Sequence, residues 1–351
     1  MLAAFSTNMR GLVINAPPGG LSAIPDISRL SPFVTRILGK NPSAFTLQGT
    51  NTYLVGAPNA KARVLIDTGD AFSSAAYTPL LLKAMRELNV SNIAAIILTH
   101  HHADHVGGVH AVLKALSQKD SSAKQEPVPV FKMKFPGDDA TFVDVNDGDI
   151  LHTDGTLKRN GTTVAQCSVN PNVTLRFLHT PGHTEDHISL LLEEEQSIFT
   201  GDCVLGESTP VFSNLPAYMR SLERLCDEFD ECKRRRANGT PATLYPSHGK
   251  AIDDGAAHVR RYIVHRNQRD EDVLKALDTC PNRKSTPWNL TSLIYQGLPL
   301  PVRLGAVGVL LQHIKKLEGE GKVRIHPARG IASYVAPEVV TNAALVEVER
   351  L

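Results

Sequence analysis

The chain has 351 residues, 42% of them hydrophobic and 21% charged, with a formal net charge of +1. That composition excludes a disordered or low-complexity chain and supports a sizeable core, and the near-zero charge carries no general signature of a polyanion-binding protein. No apolar run approaches the roughly 20 residues of a membrane span, so no membrane partner is expected.

Residues 1–30 read as an N-terminal extension. The first 25 hold one arginine and no acidic residue, as organelle presequences often do, but two adjacent prolines, several glycines and the sparse arginine favour a plain unstructured segment. The first strands predicted are 52–55 (TYLV) and 62–66 (ARVLI), the second stopped by Asp67-Thr68-Gly69. A helix over 75–88 follows from the apolar spacing of Leu80, Leu81, Ala84 and Leu88. The continuous apolar run 93–98 (IAAIIL) reads as a buried strand that delivers the chain to Thr99-His100. Between 118 and 172 the sequence turns polar and loop-rich, which predicts surface insertions around a few strands.

Strands return at 173–178, 188–192 and 197–200, followed by a helix over 216–236 with a basic end, Lys233-Arg234-Arg235-Arg236, suited to a helix C-terminus. From 256 the texture changes. Three helices (257–278, 288–297 and 302–319) and a hairpin of 322–325 with 331–334, turning at Pro327 and Gly330, outline a winged-helix-like module. The predicted divisions are an extension (1–30), a main domain (31–255), the winged-helix-like domain (256–335) and a tail (336–351). Strands alternate with helices while tight turns join neighbouring strands, so the fold class is α/β or α+β, a sheet sandwich covered by helices. The five cysteines form no CxxC pair and no disulfide framework, which predicts a reducing compartment, cytoplasm or mitochondrial matrix, rather than secretion.

The sharpest chemical signal is His100-His101-His102-Ala103-Asp104-His105, directly after the buried strand. Alternate side chains of an extended segment share a side, so His100 and His102 can converge on one ion while Asp104 and His105 begin a turn and face a second. Gly107-Gly108 lets the backbone pass closely before the next helix. Imidazole nitrogen and carboxylate oxygen suit zinc and related metals. His183 in TPGHT, Asp202 in FTGD and His248 in YPSHG each lie in a Gly- or Pro-containing turn, where a side chain can be aimed away from the core.

Together these motifs resemble the metallo-β-lactamase superfamily. The resemblance implies a four-layer αββα sandwich and two zinc ions per chain: His100, His102 and His183 on the first, Asp104, His105 and His248 on the second, and Asp202 bridging both. Within the superfamily, LQGTNTYLV (47–55), TPGHTEDH (180–187), GDCVLGE (201–207) and the stretch from Tyr262 to Arg269 are similar to the beta-lactamase-like protein 2 group, whose tail is a small winged-helix-like domain. Its animal members are endoribonucleases specific for single strands. A closely similar fungal group has thioesterase activity, releasing polyketides from an acyl carrier protein. Longer N-terminal and 118–172 segments, and Ser247 where glycine is usual, depart from the pattern and leave the substrate open between RNA and an acyl thioester.

The chemistry implied is attack by a metal-activated hydroxide, with Asp104 orienting the nucleophile and accepting its proton while also ligating metal. Asp67 reads equally as an orienter of ligand loops or a turn former. Cys203 reads as packing and His101 as structural, and His179 and His187 flank the His183 turn as further contacts. For RNA, the independent support is charge: residues 256–330 carry 13 Lys and Arg against 6 Asp and Glu. Arg260, Arg261, Lys284, Lys315, Lys316, Lys322 and Arg324 are the candidate phosphate contacts, with Trp288 and Tyr295 as stacking aromatics. A non-enzymatic nucleic-acid-binding metalloprotein is the alternative from another class.

Overall fold

The structure, a computed structural model, describes residues 20–119, 127–297, 300–327 and 346–351. The first sheet has seven strands lying side by side in chain order: β1 (Ile27–Arg29), β2 (Val34–Leu38), β3 (Asn51–Val55), β4 (Ala62–Ile66), β5 (Asn92–Ile97), β6 (Val130–Lys132) and β7 (Val143–Asp144). Strands β1 to β4 run antiparallel, and β4 to β7 run parallel. Parallel neighbours need a crossover, and helices supply it: α1 (Ser74–Glu87) between β4 and β5, then α2 (Ala103–Val106) and α3 (Val109–Lys119) between β5 and β6. Strand β5 is covered on both faces, which is why its sequence is apolar without alternation.

The second sheet runs in the order β10 (Thr162–Gln166), β9 (Thr156–Arg159), β8 (Ile150–Leu151), β11 (Leu175–His179), β12 (Ile188–Leu192), β13 (Ser197–Gly201), β14 (Leu244–Pro246). Only β13 and β14 are parallel, joined by α4 (Leu215–Arg235). Asn214 caps α4 by accepting from the Ala217 amide, and Pro216 follows in its first turn. Tyr53, Ile66, Ile97 and Phe131 of the first sheet pack against Phe177, Leu190, Phe199 and Tyr245 of the second. Outside the first sheet lie α1 and α3, holding Tyr77, Leu81, Met85 and Val112 against Leu54, Leu65 and Ile96. Outside the second lies α4, with Leu222, Leu225 and Phe229. The layers are therefore αββα.

Helix α5 (Gly255–Thr279) belongs to both halves of the molecule. Its first turns bury Val259 and Tyr262 against α4, and its last turns bury Val273 and Leu277 in a second, smaller core. That core also holds Leu290 of α6 (Pro287–Ile294), Leu310, Ile314 and Leu317 of α7 (Leu300–Gly319), and Val323 and Val348 from a small sheet. The small sheet has the order β15 (Lys284–Ser285), β17 (Val346–Arg350), β16 (Val323–Pro327).

One expectation is modified by the structure, and another reaches beyond the described residues. The 118–172 region holds more than the few strands expected among surface insertions: it supplies β6 and β7 to one sheet and β8, β9 and β10 to the other. Strands of two to five residues at sheet margins bury few side chains, so they leave little apolar periodicity to read. The strand that pairs with β16 is β17, from the segment left as a tail, while 331–334 lies outside the described residues.

Candidate metal centre

Strand register carries the predicted residues to one end of the sandwich. Parallel pairing of β4 with β5 sets Ile66 beside Ile97, so Asp67 and Thr99 leave the sheet together. The β11–β12 connection, bounded by the pair His179 and Ile188, presents His183. Pairing of Gly201 with Pro246 sets Asp202 beside His248. All seven residues expected as ligands meet there, in two groups: His100, His102, His183 and Asp202, and Asp104, His105 and His248.

Hydrogen bonding decides which ring nitrogens face inward. His183 Nδ1 lies 2.6 Å from the Val211 carbonyl, which only accepts, so Nδ1 carries the proton and Nε2 is a lone pair. His105 Nδ1 donates to Asp67 at 2.8 Å, which turns Nε2 inward to lie 3.2 Å from Asp104. The Thr99 hydroxyl lies 3.0 Å from the Asp67 carboxylate and donates to it, and His100 Nδ1 donates to that hydroxyl oxygen at 3.1 Å. The remaining nitrogens of His100, His102 and His183 then converge at 3.0–3.2 Å from one another. Lone pairs crowded this way repel unless a cation lies among them. Buried His105 Nε2 and Asp202 Oδ1 make no well-formed hydrogen bond and meet only Asp104 and His248 of the same cluster, each at 3.2 Å, which fits a cradle built for metal. Asp202 reaches both groups, with one oxygen 3.5 Å from His183 Nε2 and the other 3.2 Å from His248 Nε2.

Charge divides along the same line. In the group rich in histidine, burial pushes His102 down to about 4, and burial with neighbouring imidazoles holds His100 well below its usual value. In the other group burial opposes the charged rings, but the carboxylates prevail: Asp202 and Asp104 carry His248 up to about 9, and Asp104, Asp67 and Asp202 hold His105 well above the ordinary range. Burial alone would raise Asp104 and Asp202; His105 and His248 outweigh it and keep both carboxyls well below the usual carboxylate range.

Asp67 is the hub of the surrounding shell. It accepts from the Thr99 amide, the Thr99 hydroxyl, His105 Nδ1 and the Ser247 hydroxyl, from a left-handed backbone at φ 57°. The Ser247 hydroxyl thereby has a structural role, 3.2 Å from the Asp67 carboxylate. His187 Nδ1 meets the Thr180 hydroxyl, and its Nε2 accepts the Asp202 amide at 3.0 Å, so this buried ring holds Asp202 in place. His179 instead bonds the Glu185 carbonyl, away from the cluster. His101 points elsewhere too, bonded to Asp186 at 2.8 Å and stacked on Phe135. Cys203 packs among the residues beneath α4. Sequence reasoning passed over Lys132, buried between Asp138 and Asp186; a lysine in the short strand β6 gave no signal of it. Gly108 could not be replaced, since a Cβ there would stand 2.0 Å from the Thr68 carbonyl oxygen.

The profile described as the metallo-beta-lactamase superfamily matches residues 45–248. The chain belongs to this superfamily. A second profile, the beta-lactamase associated winged helix domain, matches residues 286–329. Among superfamily relatives, a Beta-lactamase-like protein 2 homolog of Caenorhabditis elegans is 37% identical over 305 residues, covering 86% of this chain and 90% of that protein. An atrochrysone carboxyl ACP thioesterase of Claviceps purpurea is 30% identical, covering 96% of this chain and 95% of that protein. The solved structure of a beta-lactamase domain protein from Burkholderia ambifaria superposes with a TM-score of 0.68 at 16% identity, over 96% of this chain and 98% of that one, and so shares the fold. Among the described residues no helix is long and apolar enough to cross a membrane.

Proposed function

We propose that this superfamily member is a two-metal hydrolase, that its metal is zinc, and that it cleaves single-stranded RNA internally. The observation that carries the hydrolase reading is the inward convergence of seven ligand-type side chains, with His105 Nε2 and Asp202 Oδ1 buried and meeting only other members of the cluster. His100, His102 and His183 would hold one ion, Asp104, His105 and His248 the other, with Asp202 shared. Bound there, the metals would acidify a water and offset negative charge on the attacked group. Asp104 stays ionised, which suits it to orienting the water rather than to keeping the proton. The five free cysteines, four of them buried, suit a reducing compartment such as the cytoplasm or mitochondrial matrix.

For RNA, support comes from loops that touch the centre. Thr50, at the end of the 41–50 loop, donates to Asp104, and the 67–73 loop packs on Gly107. These loops expose Phe45 and Phe72, at 53% and 94%, as faces on which unpaired bases can stack. Lys250 is exposed two residues beyond His248. Charge in the winged-helix-like part supports RNA less than composition suggests, because Arg260, Lys284, Lys316 and Lys322 are each engaged with a carboxylate. Arg261, Lys315 and Arg324 remain exposed. Trp288 and Tyr295 lie under Arg303 and Arg269, so neither ring is free on both faces.

A second reading, hydrolysis of an acyl thioester, is favoured by the thioesterase relatives and by the apolar Phe45, Phe72 and Val211, which would suit an acyl chain equally well. One experiment separates them: purified chain with labelled single-stranded RNA and, separately, an acyl thioester, each with and without chelator. RNA cleavage abolished by chelator, without thioester turnover, is expected; the reverse would overturn the RNA assignment. No turnover of either substrate, with RNA still bound, would point to the non-enzymatic alternative.

A further inference from the structure

Helix α5 lies outside the αββα layers, yet one row of its side chains reaches the loop that orients a candidate ligand. His258, Tyr262 and Arg266 follow at intervals of four, so they share a helix face. His258 Nε2 donates to the Leu205 carbonyl at 2.8 Å. The Tyr262 hydroxyl donates to Ser208 O at 2.7 Å and accepts the Leu205 amide at 3.1 Å. Arg266 Nη2 donates to Pro210 O at 3.3 Å, and the guanidinium lies 4.7 Å from the Phe212 ring centre. Tyr262 and Arg266 are 5% and 3% exposed, so these bonds form in a place closed to water.

The next carbonyl along, Val211, is the one that takes the His183 Nδ1 proton at 2.6 Å. Beyond it, Ser213 and Asn214 donate their amides to Gly182. The 205–214 segment is thus tied to α5 on one side and to the His183 turn on the other. A loop of ten residues has no regular ladder of its own; its backbone groups find partners in these side chains instead. We propose that His258, Tyr262 and Arg266 are positioning residues. By fastening the 205–211 backbone they set the Val211 carbonyl, and through it the tautomer and direction of His183 toward metal. The inference rests on reading His183 as a ligand, and it makes the helix entering the winged-helix-like part a working component of the metal centre.

The test uses the full chain loaded with Co2+ or Zn2+ and titrated with a competing chelator, alongside the visible absorption of the Co2+ form. Partners that orient a metal-binding histidine typically change affinity by about 10–100-fold. Arg266→Met and Tyr262→Phe are expected to weaken one of the two sites by about tenfold or more and to alter the Co2+ spectrum of that site only. Arg266→Lys, which keeps the charge but loses the planar fork, should restore part of the loss. Val264→Thr, an exposed position on the same helix, should leave both sites unchanged. Should Arg266→Met fail to fold, Tyr262→Phe, which removes one hydroxyl, carries the test alone. Affinities and spectra within twofold of the parent in the folded variants would overturn the proposal, as would equal weakening of both sites together with a lower Tm. A parent chain that takes up no Co2+ would overturn the ligand reading itself, and the proposal with it.

Discussion

At the residue scale, Asp67 shows how one carboxylate can hold a loop, a helix and a strand end in register. It receives four bonds from Thr99, His105 and Ser247. Replacing it with asparagine keeps the volume but cannot satisfy so many donors. Asp67→Asn is expected to lower metal affinity by about 10–100-fold, measured by chelator competition, with the His105 side affected first. Gly108 tests packing rather than charge. Gly108→Ala forces a methyl into the Thr68 carbonyl, so a loss of about 1–3 kcal/mol or more is expected in denaturant unfolding. The sequence already named the seven clustered residues, because four of them crowd one strand-end loop in a dense local pattern and the other three lie in Gly- or Pro-containing turns. It left Asp67 undecided and gave no sign of the 205–214 contacts, which depend on partners about 50 residues away.

At the scale of elements, long helices and the strands bounding the centre were legible: α4, α5 and α7 begin and end within two residues of their apolar spacing. Short marginal strands were not, since β7 and β8 hold two residues each and depend on neighbours for their hydrogen bonds. The α5–α7 contact has a pH dependence that can be worked out. Burial would raise Asp270, but His313 and Lys316 on α7 outweigh it and lower it; Arg266 and Arg269 share its own helix. A depressed carboxyl stabilises above its unfolded value of 3.8 and loses that contribution as pH falls through the folded value. His313, lowered by burial, resists protonation, so acid also costs stability below its unfolded value of 6.5. Both signs agree: Tm should fall from about pH 6.5 downward and more steeply below about 4, and Asp270→Asn should flatten the lower step.

For the whole molecule, counting charges overstated the free cationic surface, because ion pairs within the fold are invisible in a composition. Four exposed cations, Lys250 beside the centre with Arg261, Lys315 and Arg324, predict a shallow salt dependence of RNA binding. The slope of log K against log salt should be about −3, read by fluorescence anisotropy. A slope near that of seven contacts would mean that the ion pairs open on binding.

The origin of the clustered side chains has a mechanical consequence. His100, His102, Asp104 and His105 hang from the sheet of β1 to β7, while His183, Asp202 and His248 hang from the other. Ions gripped by both would rivet the two half-sandwiches at one rim, where the apolar filling between them thins out. Stripping the metal should therefore let that rim breathe, with faster amide exchange near Thr99 and Ser247 than in the middle of β5. Each site filled at a hundredfold excess over its Kd would add about 2.7 kcal/mol to the cohesion of the pair.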